Sequence, residues 1–206
     1  MQNYQLTKKN DELHEKASET LANAFSDDPV YKWVLSESND FQRSIRFLTS
    51  MIISMCNSKG EVDTLIENNT VIGVAAWLKP GTFTGLWDSL TSGSVMAPFE
   101  IGILGAERAM MLMDYNNTER RRHLGNEPAW YLWHVGILPE FKGKGLLRSL
   151  LAPKLKLTET LYLESSNEIN FPIYEKLGFE KLKVHTRKDL PLLVPMVRKS
   201  EVVTKR

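Results

Sequence analysis

The residues best placed to do chemistry are Lys142-Gly143-Lys144-Gly145, a basic turn between a stretch that reads as a strand and one that reads as a helix. A glycine turn opening a helix is a way to build an anion site. Backbone N–H groups at a helix N-terminus point one way, and the helix dipole adds partial positive charge. Glycine lets a phosphate approach the backbone, and two lysines add charge suited to a polyphosphate. A Walker-type phosphate loop is excluded, because six residues separate Gly136 from Gly143 and Gly145 follows Lys144 where Ser or Thr would stand. A dinucleotide fingerprint fails as well, since G-x-G-x-x-G is absent. An ordinary strand-to-helix connection that needs glycine for its turn is the alternative. Downstream, Asn170 and Tyr174 are spaced i, i+4 and share one side of any helix through them. A phenol with pKa about 10 keeps its proton at neutral pH.

The elements that must position these groups follow from periodicity. From Ala129 the chain is rich in aromatic and β-branched residues, which predicts a buried strand ended by Pro139. Leu146, Leu147, Leu150 and Leu151 recur at helical spacing, and that helix should be clipped near Pro153 or Lys156. A strand is expected at Thr160–Ser165, a helix at Glu168–Leu177 capped by Gly178, a strand at Phe179–Lys188 and a short strand near Val194–Arg198. Upstream, residues 4–7 read as an edge strand and Leu13 to Phe25 as a helix. Asp27-Asp28-Pro29 stops that helix and can start a second one, and a third runs from Phe41 to about Cys56. Glu61–Glu67 and Thr70–Leu78 form strands joined at Asn68-Asn69. Residues 82–127 interrupt the sheet with a polar first half and, from Ala97, a helix apolar on much of its surface that ends in a basic run; its Met-rich side is expected to pack on the sheet, with lining a pocket or meeting a partner as the alternatives. The basic run Arg120-Arg121-Arg122-His123 reads as a solvated face.

The 206 residues fit one globular domain, 1–206, with a helical insertion at about 82–127. With 26 basic and 25 acidic residues the net charge is +1, so neither a nucleic-acid nor a membrane partner is expected. The single cysteine, Cys56, predicts no disulfide framework and a reducing, cytoplasmic compartment. The N-terminal residues lack the apolar core of a signal peptide, and the apolar runs fall short of a bilayer span. His, Cys, Asp and Glu do not cluster at metal-ligand spacing, so no metal is expected.

The run ILPEFKGKGLL (137–147) resembles motif A of the GNAT superfamily of N-acetyltransferases, and LYLESSNEINFPIYEKLGF (161–179) resembles their motif B. With AFSDDPVYKW (24–33) and WLKPG (77–81), the chain looks most like the puromycin N-acetyltransferase-like branch. The resemblance implies an α/β domain with a mixed, mostly antiparallel sheet of about six to seven strands, a central parallel splayed pair, and helices on both faces. It also implies acetyl-CoA as co-substrate. Backbone groups of Val135, Gly136 and Ile137 would bond pantetheine in the manner of an added strand. The turn Lys142, Gly143, Lys144, Gly145, Leu146 and Leu147 would take the pyrophosphate, and Asn170 would be a further cofactor contact. Tyr174 matches the family tyrosine that protonates the departing thiolate. Tyr31, Trp33 and Trp77 fall near the acceptor pocket. Lys142 stands where the family has Gln or Arg, and Leu147 where it has Gly or Ala, so Leu147 must turn into the core or crowd the diphosphate.

The acceptor amine must lose a proton. At pH 7 that costs roughly 4–5 kcal/mol for a lysine-like amine. The candidate bases are Glu164, on the strand leading to motif B, and His134, beside the expected bulge of the central strand. His134 has the better intrinsic pKa, yet its alternation opposes it to Val135 and Ile137, where a helix would cover it. The expected activity is direct acetyl transfer to a small-molecule primary amine, by a monomer or homodimer. A non-catalytic acyl-CoA-binding module and a protein-lysine acetyltransferase are the alternatives.

Overall fold

The computed structural model describes residues 2–5, 11–85 and 94–199. In chain order the elements are β1 (Gln2–Gln5), α1 (Asp11–Ala24), α2 (Pro29–Val34), α3 (Phe41–Lys59), β2 (Gly60–Glu67) and β3 (Thr70–Leu78). After residues 86–93, which lie outside the described ones, come α4 (Ala97–Glu100), α5 (Ile103–Leu124), β4 (Ala129–Ile137), α6 (Leu146–Leu155), β5 (Thr160–Ser165), α7 (Phe171–Glu175), β6 (Glu180–Lys181) and β7 (Val194–Arg198).

The local signals act as expected. Asp28 caps α2, its carboxylate accepting from Val30 N at 2.8 Å and Tyr31 N at 3.3 Å, with Pro29 in the first turn. Asn68 and Asn69 take φ of 50° and 64°, the two positive values of a tight hairpin between β2 and β3. Gly178, at φ 88°, closes the segment after α7 while Phe179 N reaches Tyr174 O at 3.0 Å.

The strands form one seven-stranded sheet in the order β1-β2-β3-β4-β5-β7-β6. All neighbours are antiparallel except β4 and β5, whose parallel pairing runs from Ala129–Thr160 to Leu132–Leu163 and stops there. It stops at a bulge. Ala76 pairs with His134 and Trp77 with Leu132, so Trp133 is the extra residue. One inserted residue reverses the alternation of side chains beyond it. Tyr131, Trp133 and the ring of His134 consequently face the same layer, formed by α1 to α5, while Trp130 and Leu132 face α6 and α7. From Trp133 onward the edge of β4 that faced β5 has no strand partner among the described residues.

Several expectations are corrected. The edge strand lies at Gln2–Gln5, with residues 6 and 7 outside the described ones. The motif B helix is only Phe171–Glu175, preceded by a 3₁₀ turn over Glu168–Asn170, because Pro172 belongs in a first turn. The strand predicted over Phe179–Lys188 shrinks to Glu180–Lys181. Beyond it the chain leaves the sheet for α5, where the Tyr115 hydroxyl donates to His185 O at 2.8 Å. The helix predicted from Ala97 to the basic run is two helices, broken between Glu100 and Ile103, and the second reaches the basic cluster as expected. Arg120 is not solvated: it is 2% exposed, lies 4.2 Å over the Tyr131 ring and donates to Thr82 O at 2.8 Å.

Gly136 lets α1 lie directly on β4, since a Cβ there would stand 2.7 Å from the Ala24 Cβ. Gly136→Ala is expected to destabilise by about 1–3 kcal/mol through overpacking. A chain of this size would lose several degrees of Tm, roughly 2–4 °C for each kcal/mol. An unchanged melting temperature would contradict this close approach.

Candidate active site

A cavity of about 310 Å³ opens where β4 and β5 part. Of the residues singled out in the sequence, Tyr31, His134, Val135, Glu164, Asn170 and Tyr174 line it. Gly136 and Ile137 do not: Gly136 sits against α1, and Ile137 belongs with the core beneath α6. Their backbone edge nonetheless continues the strand that Val135 starts.

Two tryptophans move out of the picture. Trp77 is fully buried on the opposite face of the sheet, 6.0 Å from the Lys154 ammonium. Alternation along β3 puts it there, away from the cavity. Trp33 is half-buried under the Arg108 guanidinium at 5.2 Å and does not line the cavity.

The titratable groups divide by environment. Glu164 extends from the end of β5, and burial pushes its carboxyl up to about 7. The Tyr131 and Tyr162 hydroxyls and the buried Arg120 oppose that shift, although neither hydroxyl completes a well-formed hydrogen bond to it. His134 meets the reverse fate. Phe25, Tyr31 and Trp133 rings surround it at centroid distances of 5.5, 6.0 and 5.5 Å, and burial pushes its pKa down to about 3. The better intrinsic base is thereby held neutral, and the carboxylate becomes the group that titrates near neutrality.

Tyr174 is held above the ordinary phenol range, first by burial and then by the nearby charge of Asp28. Asp28 was legible in the sequence only as a helix cap. It also lines the cavity and accepts from Ser166 Oγ at 3.0 Å, tying the α1–α2 corner to the end of β5. Met51 and Met55, on α3, were not legible as lining residues, whereas for the Met-rich side of α5 lining a pocket was an alternative to packing. Met51 and Met55 of α3 and Met110 and Met113 of α5 line the cavity, so the Met-rich face expected to pack forms a wall instead.

The Lys142–Leu147 turn is exposed up to Leu146, and Gly143 and Gly145 have φ of 79° and 71°. Gly145 is the left-handed N-cap of α6, with open space where a Cβ would stand. Conformation and room for an approaching ligand both call for glycine. Leu146 is buried and offers the turn only its backbone, while Leu147 packs in part against the α6-side core. The bulk of Leu147 thus turns at least partly away from the turn.

The expectation that no metal-ligand cluster exists is corrected by the fold. Glu119, His123 and His185 bring ligand atoms within 4.8 Å of one another, from α5 and the segment after β6. The Glu119 carboxylate meets His185 Nδ1 at 2.8 Å and His123 Nε2 at 3.3 Å, and is also paired with Arg122. With Arg122 as its cationic partner, the buried Glu119 carboxylate joins the insertion to the C-terminal segment.

The sheet is mixed, with central parallel strands that part above a glycine-capped helix, and comparison with known proteins gives the family. An uncharacterized N-acetyltransferase of Schizosaccharomyces pombe is 30% identical over 209 residues, covering 93% of this chain and 82% of that protein. No protein-family model matches. Among solved structures, a histone acetyltransferase HPA2 and related acetyltransferase from Corynebacterium glutamicum superposes with TM-score 0.69 at 20% identity, over 99% of each chain. Arylalkylamine N-acetyltransferase 2 from Aedes aegypti gives TM-score 0.59 at 14% identity, over 97% of this chain and 99% of that one. The chain belongs to the GNAT family of N-acetyltransferases. No helix among the described residues is long and apolar enough to cross a membrane.

The Glu164 environment has a stability consequence. Its folded pKa of about 7 lies above the unfolded value near 4.3, so the folded state binds the extra proton between those limits. The destabilising contribution is small at pH 5 and fully present above pH 7. Glu164→Gln removes it, so the variant's Tm relative to wild type is expected to be higher at pH 8 than at pH 5. Thermal melts showing the same difference at both values would refute the raised pKa.

Proposed function

We propose that this protein transfers the acetyl group of acetyl-CoA directly to the primary amine of a small molecule, within a ternary complex. One observation carries the reading. A carboxylate that titrates near 7 and a protonated phenol line one cavity, at the place where the central strand loses its partner.

The unpaired edge of β4 from Val135 to Ile137 suits the pantetheine amides, which would extend the sheet. The backbone of Gly143 to Leu147, with Lys142 and Lys144, suits the pyrophosphate. Asn170, at the cavity wall beside Tyr174, is the further contact to the co-substrate. The amine would give its proton to Glu164, and its nitrogen would attack the thioester carbonyl. As the C–S bond breaks, the thiolate would take the phenolic proton of Tyr174. His134, held neutral, would serve as a wall of the site. Glu164 supplies the base, so no metal is required, and dialysis against chelator is expected to leave turnover unchanged.

The single cysteine fits a reducing compartment such as the cytoplasm. Solved acetyltransferases of the same fold include an arylalkylamine enzyme, which supports a small-amine acceptor. The puromycin-type branch finds less support, since Trp33 and Trp77 lie off the cavity wall.

The test is a thiol-release assay with acetyl-CoA over a panel of small amines, paired with calorimetry. The kcat/KM profile is expected to rise with pH through about 7, because Glu164 is a base only when ionised. Glu164→Gln should abolish that limb. Tyr174→Phe keeps the ring and should lower kcat by about 10²–10⁴-fold with acetyl-CoA still bound. A folded Tyr174→Phe protein that retained wild-type kcat, with chemistry limiting, would remove Tyr174 from the mechanism.

A further inference from the structure

The cavity is polar at one end only. Asp28, Glu164, Ser165, Ser166 and Asn170 stand near the parting of β4 and β5, together with Asn116 of α5, which donates to the Tyr131 hydroxyl at 3.3 Å. The rest runs between α2, α3, α4 and α5, against Leu48, Met51, Met55, Ile101, Met110 and Met113. Among the described residues that line this far part, no carboxylate, ammonium or guanidinium is present. The apolar surface also continues outward beside it. Phe99 of α4 is 82% exposed, and Ile103 and Met110 of α5 are 77% and 47% exposed.

From this division we infer that the acceptor is a monoamine on an uncharged apolar tail, aliphatic or aryl, rather than a polyamine, an amino sugar or an amino acid. The inference rests on the transferase reading of the same cavity. A tail placed among methionines and isoleucines gains the transfer free energy of each methylene, and methionine side chains adapt to its shape. A second ammonium or a carboxylate carried into that end would be desolvated without a counter-charge. The amine itself meets the opposite environment, with Asp28 and Glu164 at the polar end. Only a molecule with its charge confined to one terminus satisfies both ends.

The test compares n-alkylamines from propylamine to octylamine, together with phenethylamine, against 1,6-diaminohexane and glucosamine, all at saturating acetyl-CoA. Rates are read as thiol release. The expected kcat/KM rises about three- to fourfold per added methylene until the pocket is filled, expressed mainly in KM. Hexylamine should exceed 1,6-diaminohexane by at least about tenfold, since the two differ only in the second charge. Met110→Glu, at a half-exposed site on α5, should shrink that ratio by admitting the diamine and rejecting the alkyl tail. If circular dichroism shows that variant misfolded, the wild-type chain-length series decides alone. Rates independent of chain length, or a preference for the diamine or glucosamine, would overturn the inference while leaving the transferase reading intact. Absence of release with every amine, with acetyl-CoA bound, would overturn that reading and this inference with it.

Discussion

Everything at the site depends on the loss of pairing between β4 and β5 after Leu132 and Leu163. A continuous parallel pair would bond both edges of β4 and leave no room between the strands. The extra residue, Trp133, ends the pairing and does a second thing at once. It reverses alternation, so that His134 and Gly136 turn toward α1, where they would otherwise face α6. Gly136 then admits α1 at a distance where a Cβ would force its neighbours to shift. The open backbone edge, the aromatic wall around His134 and the seat of α1 share this one cause.

Burial is the dominant electrostatic force in the cavity, and it acts with opposite sign on the two candidate bases. It disfavours the charged form of each, raising the carboxyl of Glu164 and lowering the imidazole of His134. The difference is what opposes it. Glu164 has two tyrosine hydroxyls and a buried guanidinium within electrostatic reach, so its rise stops near neutrality. His134 has only ring faces and edges around it, so nothing offsets desolvation. Intrinsic pKa favours the histidine, and the environment outweighs that preference by several units.

The insertion between β3 and β4 supplies the cavity's outer half. Its helix α5 is held at one end by Arg108, which reaches Trp33 O and Ser36, and at the other by the cluster around Glu119. Those anchors leave the Met-bearing face turned to the space between α5 and α3. A surface expected to pack thus becomes the wall of a cavity. It has a neighbour to face but is held off from it.

The order of elements, the caps at Asp28 and Gly178, the hairpin at Asn68-Asn69 and the glycine turn before α6 were all legible in the sequence. Each is set by residues adjacent in the chain, through side-chain caps, positive φ or helical spacing. Motif spacing also carried Tyr174, Asn170 and Glu164 to the cavity. Tertiary structure alone decided how far burial shifts Glu164 and His134, because desolvation depends on neighbours brought in from elsewhere in the chain. It also decided that Trp77 faces the other side of the sheet, that Arg120 is buried and that Glu119, besides its helical neighbour His123, meets the distant His185. Only the folded chain shows whether the segment after β6 pairs in the sheet or leaves it for α5. The reason is common to all five: local sequence sets backbone conformation within a few residues, whereas burial, strand pairing and long-range charge pairing are fixed by elements far apart in the chain.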